Sequence, residues 1–430
     1  MREPLRIAVA GLGTVGLEVV RLLRDEKDML ADRAGRPLEV VAVSARDRTR
    51  DRGLDLGAYA WFDDAVAMAA EAPCDLVVEV IGGSDGTAKQ VCEAALTGGR
   101  HVVTANKALL AMRGEELAPL ADSAGRTIAC EAAVAGGIPI VKGLREGLGA
   151  NRASTVFGIL NGTCNYILTR MEETGRDFAD ILSEAQDLGY AEVDPAFDVD
   201  GVDAAHKLAI LAAIAFNARI PFEALTIEGI RSVTAADIMF ARELGYRIKL
   251  IGLAERVDGD TDPQLALRVG PALVPRDGPL ARIDGVLNAV VVDGHAADRI
   301  MMVGAGAGGG PTASAIVADI LDIARGQTSP VFGVPTSGLT DMAIQPIDQR
   351  RGPYYVRAQV IDRPGVLADL SAVLRDEQVS VESLIQRGRS SNEPVALVIV
   401  THDVEATLRG YERLRELAAS PAHIVPGHEP

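Results

Sequence analysis

Apolar and polar positions follow a regular rhythm through the first third of the chain. Leu5 to Ala10 is a short apolar run; Gly11-Leu-Gly13-Thr-Val-Gly16 follows, and then a periodic stretch with Leu17, Val19, Val20, Leu22 and Leu23. That succession predicts strand, glycine turn and helix. Leu38 to Ser44, Asp75 to Ile81, His101 to Thr104 and Thr127 to Cys130 read as further strands with helical segments between them. Such alternation predicts an α/β fold: a Rossmann-type, doubly wound parallel sheet over residues 1–138. Ligands then belong beyond the carboxyl ends of the strands, where Gly82, Gly83 and Lys107 lie.

After Pro139 the rhythm loosens. Strand-like stretches (Thr155 to Leu160, Lys249 to Ala254, Leu265 to Val269, Ala289 to Val292) mix with helical ones, which predicts an α+β domain for substrate binding and dimerisation over 139–328. Residues 329–352 contain Pro330, Pro335 and Pro346, lose periodicity and read as a linker. A compact unit over 353–430 follows. Tyr354 to Ile361 alternates as a strand, Asp362-Arg-Pro-Gly-Val-Leu367 turns into a helix reaching about Arg375, Val379 to Ile385 and Val395 to Val400 read as strands, and Val404 to Leu417 reads as a helix.

Composition narrows the class. The 430 residues are 48% apolar and 24% charged, ordinary globular usage that can bury several cores without disulfides or metals. Sixty acidic residues against 43 Lys and Arg give a net charge of −17, which repels phosphate backbones and argues against a nucleic-acid partner. Cys74, Cys92, Cys130 and Cys164 form no CxxC pair and have no His at zinc-ligand spacing, so they are expected to be reduced and buried. The longest apolar run, Leu208 to Phe216, is too short for a membrane span, and the amino terminus has no signal-peptide pattern. The expectation is a cytoplasmic protein without a membrane partner.

Three places carry chemistry. The first is the glycine turn: Gly11, Gly13 and Gly16 permit a tight turn, close backbone approach and helix packing. Thr14 and Val15 open a helix whose free N–H groups suit a pyrophosphate. The strand ending at Ser44 leads to Arg46, and a guanidinium there suits the 2′-phosphate of NADP; Asp47 beside it keeps NAD as an alternative, and a solvated surface arginine is the plainer reading. The second is Asn161-Gly-Thr-Cys-Asn165, which reads as a polar loop or a turn with a helix cap. The third runs from Gly189 to Lys207 and holds Glu192, Asp194, Asp198, Asp200, Asp203 and Lys207. On a helix from Val202, Asp203 and Lys207 stand at i and i+4, either as a helix staple or as a proton-handling pair with acids able to hold an ammonium group.

The run Ala185-x3-Gly189-Tyr-Ala-x2-Asp194-Pro-x2-Asp198-Val-x-Gly201-x-Asp203-x3-Lys207 resembles the long signature of homoserine dehydrogenases. Asn161-Gly-Thr-x-Asn165, Thr104-x-Asn106-Lys107, Glu131-x2-Val134-x-Gly136-x-Ile138 and Gly304-Ala-Gly-Ala-Gly308-Gly-Gly-Pro-Thr-Ala313 are similar to family motifs, and the resemblance spans the chain. Cys164 stands where Thr is common, and Thr87 stands where Pro is expected. The resemblance implies reversible NAD(P)H-dependent reduction of L-aspartate 4-semialdehyde to L-homoserine, a step toward threonine, methionine and isoleucine. It implies Lys207 as acid/base, with Lys107 and Asp203 also catalytic. Substrate binding falls to Glu192, Asp198, Asp203 and Lys107. The cofactor, NADP or NAD, falls to Gly11, Gly13, Thr14, Val15, Gly16, Arg46, Gly82, Lys107 and Gly308. A monovalent cation such as sodium or potassium would sit at Glu131, Val134, Gly136 and Ile138. The tail, marked by Asp362-x-Pro364-Gly365-Val-Leu367, resembles a ferredoxin-like ACT domain, which implies pairing of tails in a homodimer or homotetramer and threonine as effector. The rival readings are another NAD(P)-dependent aldehyde or ketone reductase, and an amino-acid sensor with an inactive Rossmann domain.

Overall fold

The computed structural model describes residues 2–257, 262–387, 394–402, 404–405 and 423–426. The chain divides into two compact units that do not follow its linear order. Met1–Val156, His206–Glu223 and Asn288–Met342 form one; Phe157–Ala205, Ala224–Leu287 and Ala343–Pro430 form the other.

In the first unit, β1 (Leu5–Ala10), β2 (Leu38–Ser44), β3 (Ala60–Phe62), β4 (Leu76–Glu79), β5 (His101–Thr104) and β6 (Ile128–Ala129) form a sheet in the order β3-β2-β1-β4-β5-β6. Every pairing is parallel. Ile7, Val9, Val77, Val78, Val102 and Val103 are fully buried, because helices cover both faces; this is why the strands read as continuous apolar runs. The order reverses between β1 and β4, the switch point at which such sheets open a crevice. Helix Thr14–Asp25 buries Val19, Val20 and Leu23 on this core. So does the distant helix Gly309–Arg325, through Ile316 and Ile320. Strands Asp298–Ala305, Leu287–Gly294 and Ala153–Ile159 are sheet neighbours in that order. The proline-bearing segment is anchored rather than loose: Val331, Phe332 and Leu339 are buried, and Phe332 lies so close to Gly114 that a Cβ there would come within 2.6 Å of its ring. Proline spacing marks where regular structure stops, not whether the chain still packs.

In the second unit, Tyr246–Val257 and Gln264–Pro275 pair antiparallel along their full lengths, and Thr226–Ile227 adds a parallel strand, so the sheet is mixed. The tail is a four-stranded antiparallel sheet in the order Val381–Arg387, Pro394–Thr401, Tyr354–Ile361, His423–Pro426. Helix Val366–Asp376 packs Leu370, Val373 and Leu374 on Val356, Ala358 and Leu397. This is the ferredoxin-like arrangement expected of the tail. The helix expected over 404–417 falls outside the described residues, except that Val404–Glu405 pair as a strand with Arg351–Gly352. The tail is tied to helix Ala235–Glu243 by Asp237, which is fully buried: Tyr355 Oη donates to it at 2.8 Å and Arg357 Nε at 2.6 Å. All four cysteines are buried and none is in a disulfide among the described residues. No helix among the described residues is long and apolar enough to cross a membrane.

Candidate active site

The glycine turn folds as its spacing predicts. Gly11 takes φ +105°, and a Cβ there would meet the Val80 carbonyl oxygen at 2.6 Å; one on Gly16 would lie 2.0 Å from the Gly11 oxygen. Gly13, the residue before the helix, has no atom beyond its chain neighbours within 4 Å of its missing Cβ, which leaves room for a ligand at the helix start. Gly309 of the late glycine run packs on this turn, its missing Cβ 3.2 Å from Thr14 Cγ2 and 3.0 Å from Glu18 Cγ. Gly308, at φ +118°, precedes that second helix. The two glycine runs, some 290 residues apart, therefore build one region of the first unit. Arg46 is exposed in the loop after β2. Its neighbour Asp47 is turned into its own loop, accepting from Thr49 N at 2.8 Å and Thr49 Oγ1 at 2.7 Å, which hold its carboxyl below the usual range.

At the end of β4 stands Glu79, fully buried, which the sequence reading did not single out. Its carboxylate accepts from Ile81 N at 2.8 Å, Gly82 N at 3.3 Å and Thr104 Oγ1 at 2.6 Å. Burial pushes its pKa up against those bonds. Asn106 then donates to the Gly83 carbonyl at 2.8 Å while its Oδ1 caps helix Lys107–Ala124 through Leu109 N at 3.0 Å. Glu79 and Asn106 thus tie the Gly82-Gly83 turn to the helix start that carries Lys107, which is half-buried. The available signal was an acid closing an otherwise apolar strand.

Glu131, 2% exposed, opens a short turn. Its carboxylate accepts from Val141 N at 3.0 Å and Lys142 N at 2.8 Å, and its own N–H donates to Asp319 Oδ2 at 2.8 Å. Burial, and then the charge of Asp319, push the Glu131 carboxyl up to about 7. Lys142 Nζ bridges Asp319 at 3.2 Å and Asp322 at 2.5 Å. Ala135 and Gly136 take positive φ, and Val134, Gly136 and Ile138 lie on the turn that follows Glu131. Among the described residues no group of three or more His, Cys, Asp or Glu side chains could hold a metal, so any ion here depends on backbone carbonyls.

The second unit assembles the acidic cluster. Asn161 caps helix Gly162–Thr174 by accepting from Cys164 N at 2.8 Å. Its Nδ2 donates at once to Asp198 Oδ1 at 2.7 Å and Asp203 Oδ2 at 2.8 Å. Thr163 Oγ1 reaches Asp198 Oδ2 at 3.2 Å. The loop is therefore both the cap and the piece that orients two carboxylates. Asp203 is 3% exposed and Lys207, one turn along helix Val202–Phe216, is 6% exposed, so the pair is not an open-solvent staple. Asp200 is drawn away into an ion pair with Arg231, and Glu192 lies exposed on its loop. Helix Gly162–Thr174 is anchored from behind by buried Lys249, whose Nζ donates to Asn165 Oδ1 at 2.9 Å and the Ile283 carbonyl at 2.6 Å. Burial, and then Arg247, bring the Lys249 pKa down to about 8.

Comparison with known proteins sets this geometry in context. Residues 139–321 match the homoserine dehydrogenase family, 11–131 the homoserine dehydrogenase NAD-binding domain, and 354–419 the ACT domain. The homoserine dehydrogenase of Pseudomonas aeruginosa is 44% identical over 409 residues, covering 94% of this chain and 93% of its own length. That of Neisseria gonorrhoeae is 44% identical over 406 residues, covering 93% of this chain and 92% of its own. The crystal structure of a homoserine dehydrogenase from Thiobacillus denitrificans superposes with a TM-score of 0.92 at 39% identity, covering 99% of this chain and 98% of that one. A hyperthermophilic archaeal homoserine dehydrogenase in complex with NADPH gives 0.63 at 26% identity over 74% of this chain and 97% of that one.

Proposed function

Because the chain belongs to the homoserine dehydrogenase family and is an NAD(P)-dependent oxidoreductase, we propose a division of labour among its residues in the reduction of L-aspartate 4-semialdehyde to L-homoserine. The observation that carries it is the double hydrogen bond from Asn161, which orients the carboxylates of Asp198 and Asp203; Asp203 stands in the first turn of the helix that bears Lys207. These carboxylates, with Glu192, hold the substrate's α-ammonium group. Lys207 Nζ gives its proton to the aldehyde oxygen as negative charge builds there and recovers it in the reverse direction. Lys107, fixed at its helix start by the Asn106 cap, adds positive charge and steadies the carbonyl. The nicotinamide cofactor, when bound, supplies or accepts the hydride.

Gly11, Gly13, Thr14, Val15, Gly16, Gly82 and Gly308 form the cofactor seat; the open space at Gly13 and the packing of Gly309 on Thr14 support it. We assign NADP rather than NAD, since Arg46 is exposed while Asp47 spends its carboxylate on Thr49. A monovalent cation, sodium or potassium, would be held by Glu131 with the carbonyls of Val134, Gly136 and Ile138: burial, and then the charge of Asp319, raise the Glu131 carboxyl, and a cation beside it would favour the ionised form. The tail pairs with that of a second copy. Exposed Ile361, Leu367 and Leu384 supply apolar surface for it, and the backbone N–H groups at the helix start from Gly365 to Leu367 suit the carboxylate of threonine, the inhibitor. The enzyme works in the cytoplasm. The test is absorbance of reduced nicotinamide on adding homoserine with NADP or NAD. Lys207→Ala should lose roughly 10²–10⁴-fold in kcat while cofactor binding persists. Unchanged turnover removes Lys207 from this role.

A further inference from the structure

Asn288 lies on strand Leu287–Gly294 and is fully buried, yet neither its Nδ2 nor its Oδ1 has a hydrogen-bond partner among the described residues. Two desolvated polar atoms on one side chain are costly, and folded proteins rarely carry them without a use. The place is specific. A Cβ built on Gly306 would lie 2.1 Å from Asn288 Cγ, 2.2 Å from Oδ1 and 2.4 Å from Nδ2. Near-equal distances to the three atoms mean that the flat face of the amide rests on the Gly306 Cα. Residue 306 must therefore lack a side chain. On its other side the same loop is held by Gly137 N, which donates to the Ala305 carbonyl at 2.9 Å, and by Gly136, whose missing Cβ would lie 2.9 Å from the Gly306 oxygen. The loop is clamped between a hydrogen-bonded edge and an amide whose hydrogen-bonding edges are unused.

We propose that Asn288 is a positioning residue for the loop 304–308, and that its amide pairs with the loop backbone only when the nicotinamide cofactor is seated. This rests on the reading that Gly308 belongs to the cofactor seat. Nδ2 donates to a loop carbonyl and Oδ1 accepts a loop N–H in the bound state; the face-on contact of the free state becomes an edge-on one. Hydrogen bonds present in one state only are what shift an equilibrium, so the amide raises cofactor affinity at the expense of the empty protein.

The experiment compares Asn288→Leu with the unchanged chain, since leucine keeps the shape and removes both polar atoms. NADPH affinity is titrated by its fluorescence, thermal unfolding is followed without cofactor, and kcat is measured at saturating NADPH. The expected result is a roughly tenfold weaker NADPH Kd, an unfolding temperature equal or higher, and kcat nearly unchanged. A merely structural amide gives no change in Kd, and that result overturns the proposal. Should the leucine variant not fold, Asn288→Ala is put through the same titration with the same two outcomes. Gly308→Ala separates the underlying reading: at φ +118° a side chain strains the loop, and NADPH binding should weaken. If Gly308→Ala weakens binding and Asn288→Leu does not, the amide role is wrong. If Gly308→Ala binds NADPH normally, the loop does not meet the cofactor and both ideas fall.

Discussion

Replacing Asn161 by Asp isolates the orientation of the acidic cluster from the stability of its helix. Asp and Asn cap helices about equally well, so the bond from Cys164 N at 2.8 Å survives the change. The other end does not survive it. An NH₂ group that donates at 2.7 Å to Asp198 and 2.8 Å to Asp203 becomes a carboxylate oxygen facing two others. Two hydrogen bonds to charged acceptors are lost, about 1.5–3 kcal/mol each. Like charges about 4 Å apart add repulsion of about 4 kcal/mol per pair at an effective dielectric near 20. The cluster escapes part of this by retaining a proton, which raises its apparent pKa. A net loss of about 3–4 kcal/mol corresponds to a drop of roughly 100- to 1000-fold in kcat/KM for homoserine. A retained proton restores a donor at position 161, so the deficit relative to the unchanged chain should narrow between about pH 8 and about pH 6. Initial rates across that range, with Asn161→Ala as the variant that loses the cap but gains no charge, supply the measurement. A kcat/KM within roughly threefold of the unchanged chain, or a deficit that does not vary with pH, refutes the reasoning.

Arg46→Ala should weaken NADP far more than NAD in binding titrations, because only NADP carries the 2′-phosphate; equal losses would show that Arg46 does not read that group. Lys249 has a folded pKa of about 8, below its ordinary 10.5, so the folded state holds fewer protons in that window. Chemical unfolding should show the unchanged chain gaining stability relative to Lys249→Met as pH rises from 8 toward 10.5, and a constant difference would contradict the assignment. A chain ending after Arg350 keeps the anchored Val331, Phe332 and Leu339 and should stay active but lose inhibition by threonine; undiminished inhibition would place the effector outside the tail. The same truncation removes Tyr355 and Arg357 from buried Asp237. Burial raises the pKa of that carboxyl, but its bonds to Thr234 and the charge of Arg357 bring it below the ordinary range. Its stabilisation is therefore full above the ordinary aspartate range and lost as pH falls below it. The unchanged chain should unfold at higher denaturant than the truncated one at neutral pH, and the gap should close in acid.

Much of this protein is written locally. The Gly11–Gly16 turn, the alternation of strand and helix, the cap at Asn161 and the turn before Val366 depend on residues within a few positions of one another, where steric demand and hydrogen-bond supply are visible in the sequence. Asp203 and Lys207 share a helix, so their spacing alone put them a turn apart. What the sequence did not disclose are the meetings of distant segments. Helix Gly309–Arg325 completes the core of an amino-terminal sheet, the residues read as a linker bury Phe332 against Gly114, and Glu79 holds Thr104. Asn161 bridges two aspartates some 40 residues away, where its cap role alone was legible. Glu131 lies against Asp319, and the Asn288 amide rests on Gly306, pairings that no periodicity encodes. Periodicity tells which face of an element is buried, because burial recurs with each turn or each pleat. It does not tell what that face is buried against, since apolar faces are interchangeable until shape and the pairing of every buried polar atom select among them, and that selection is made only in the folded chain.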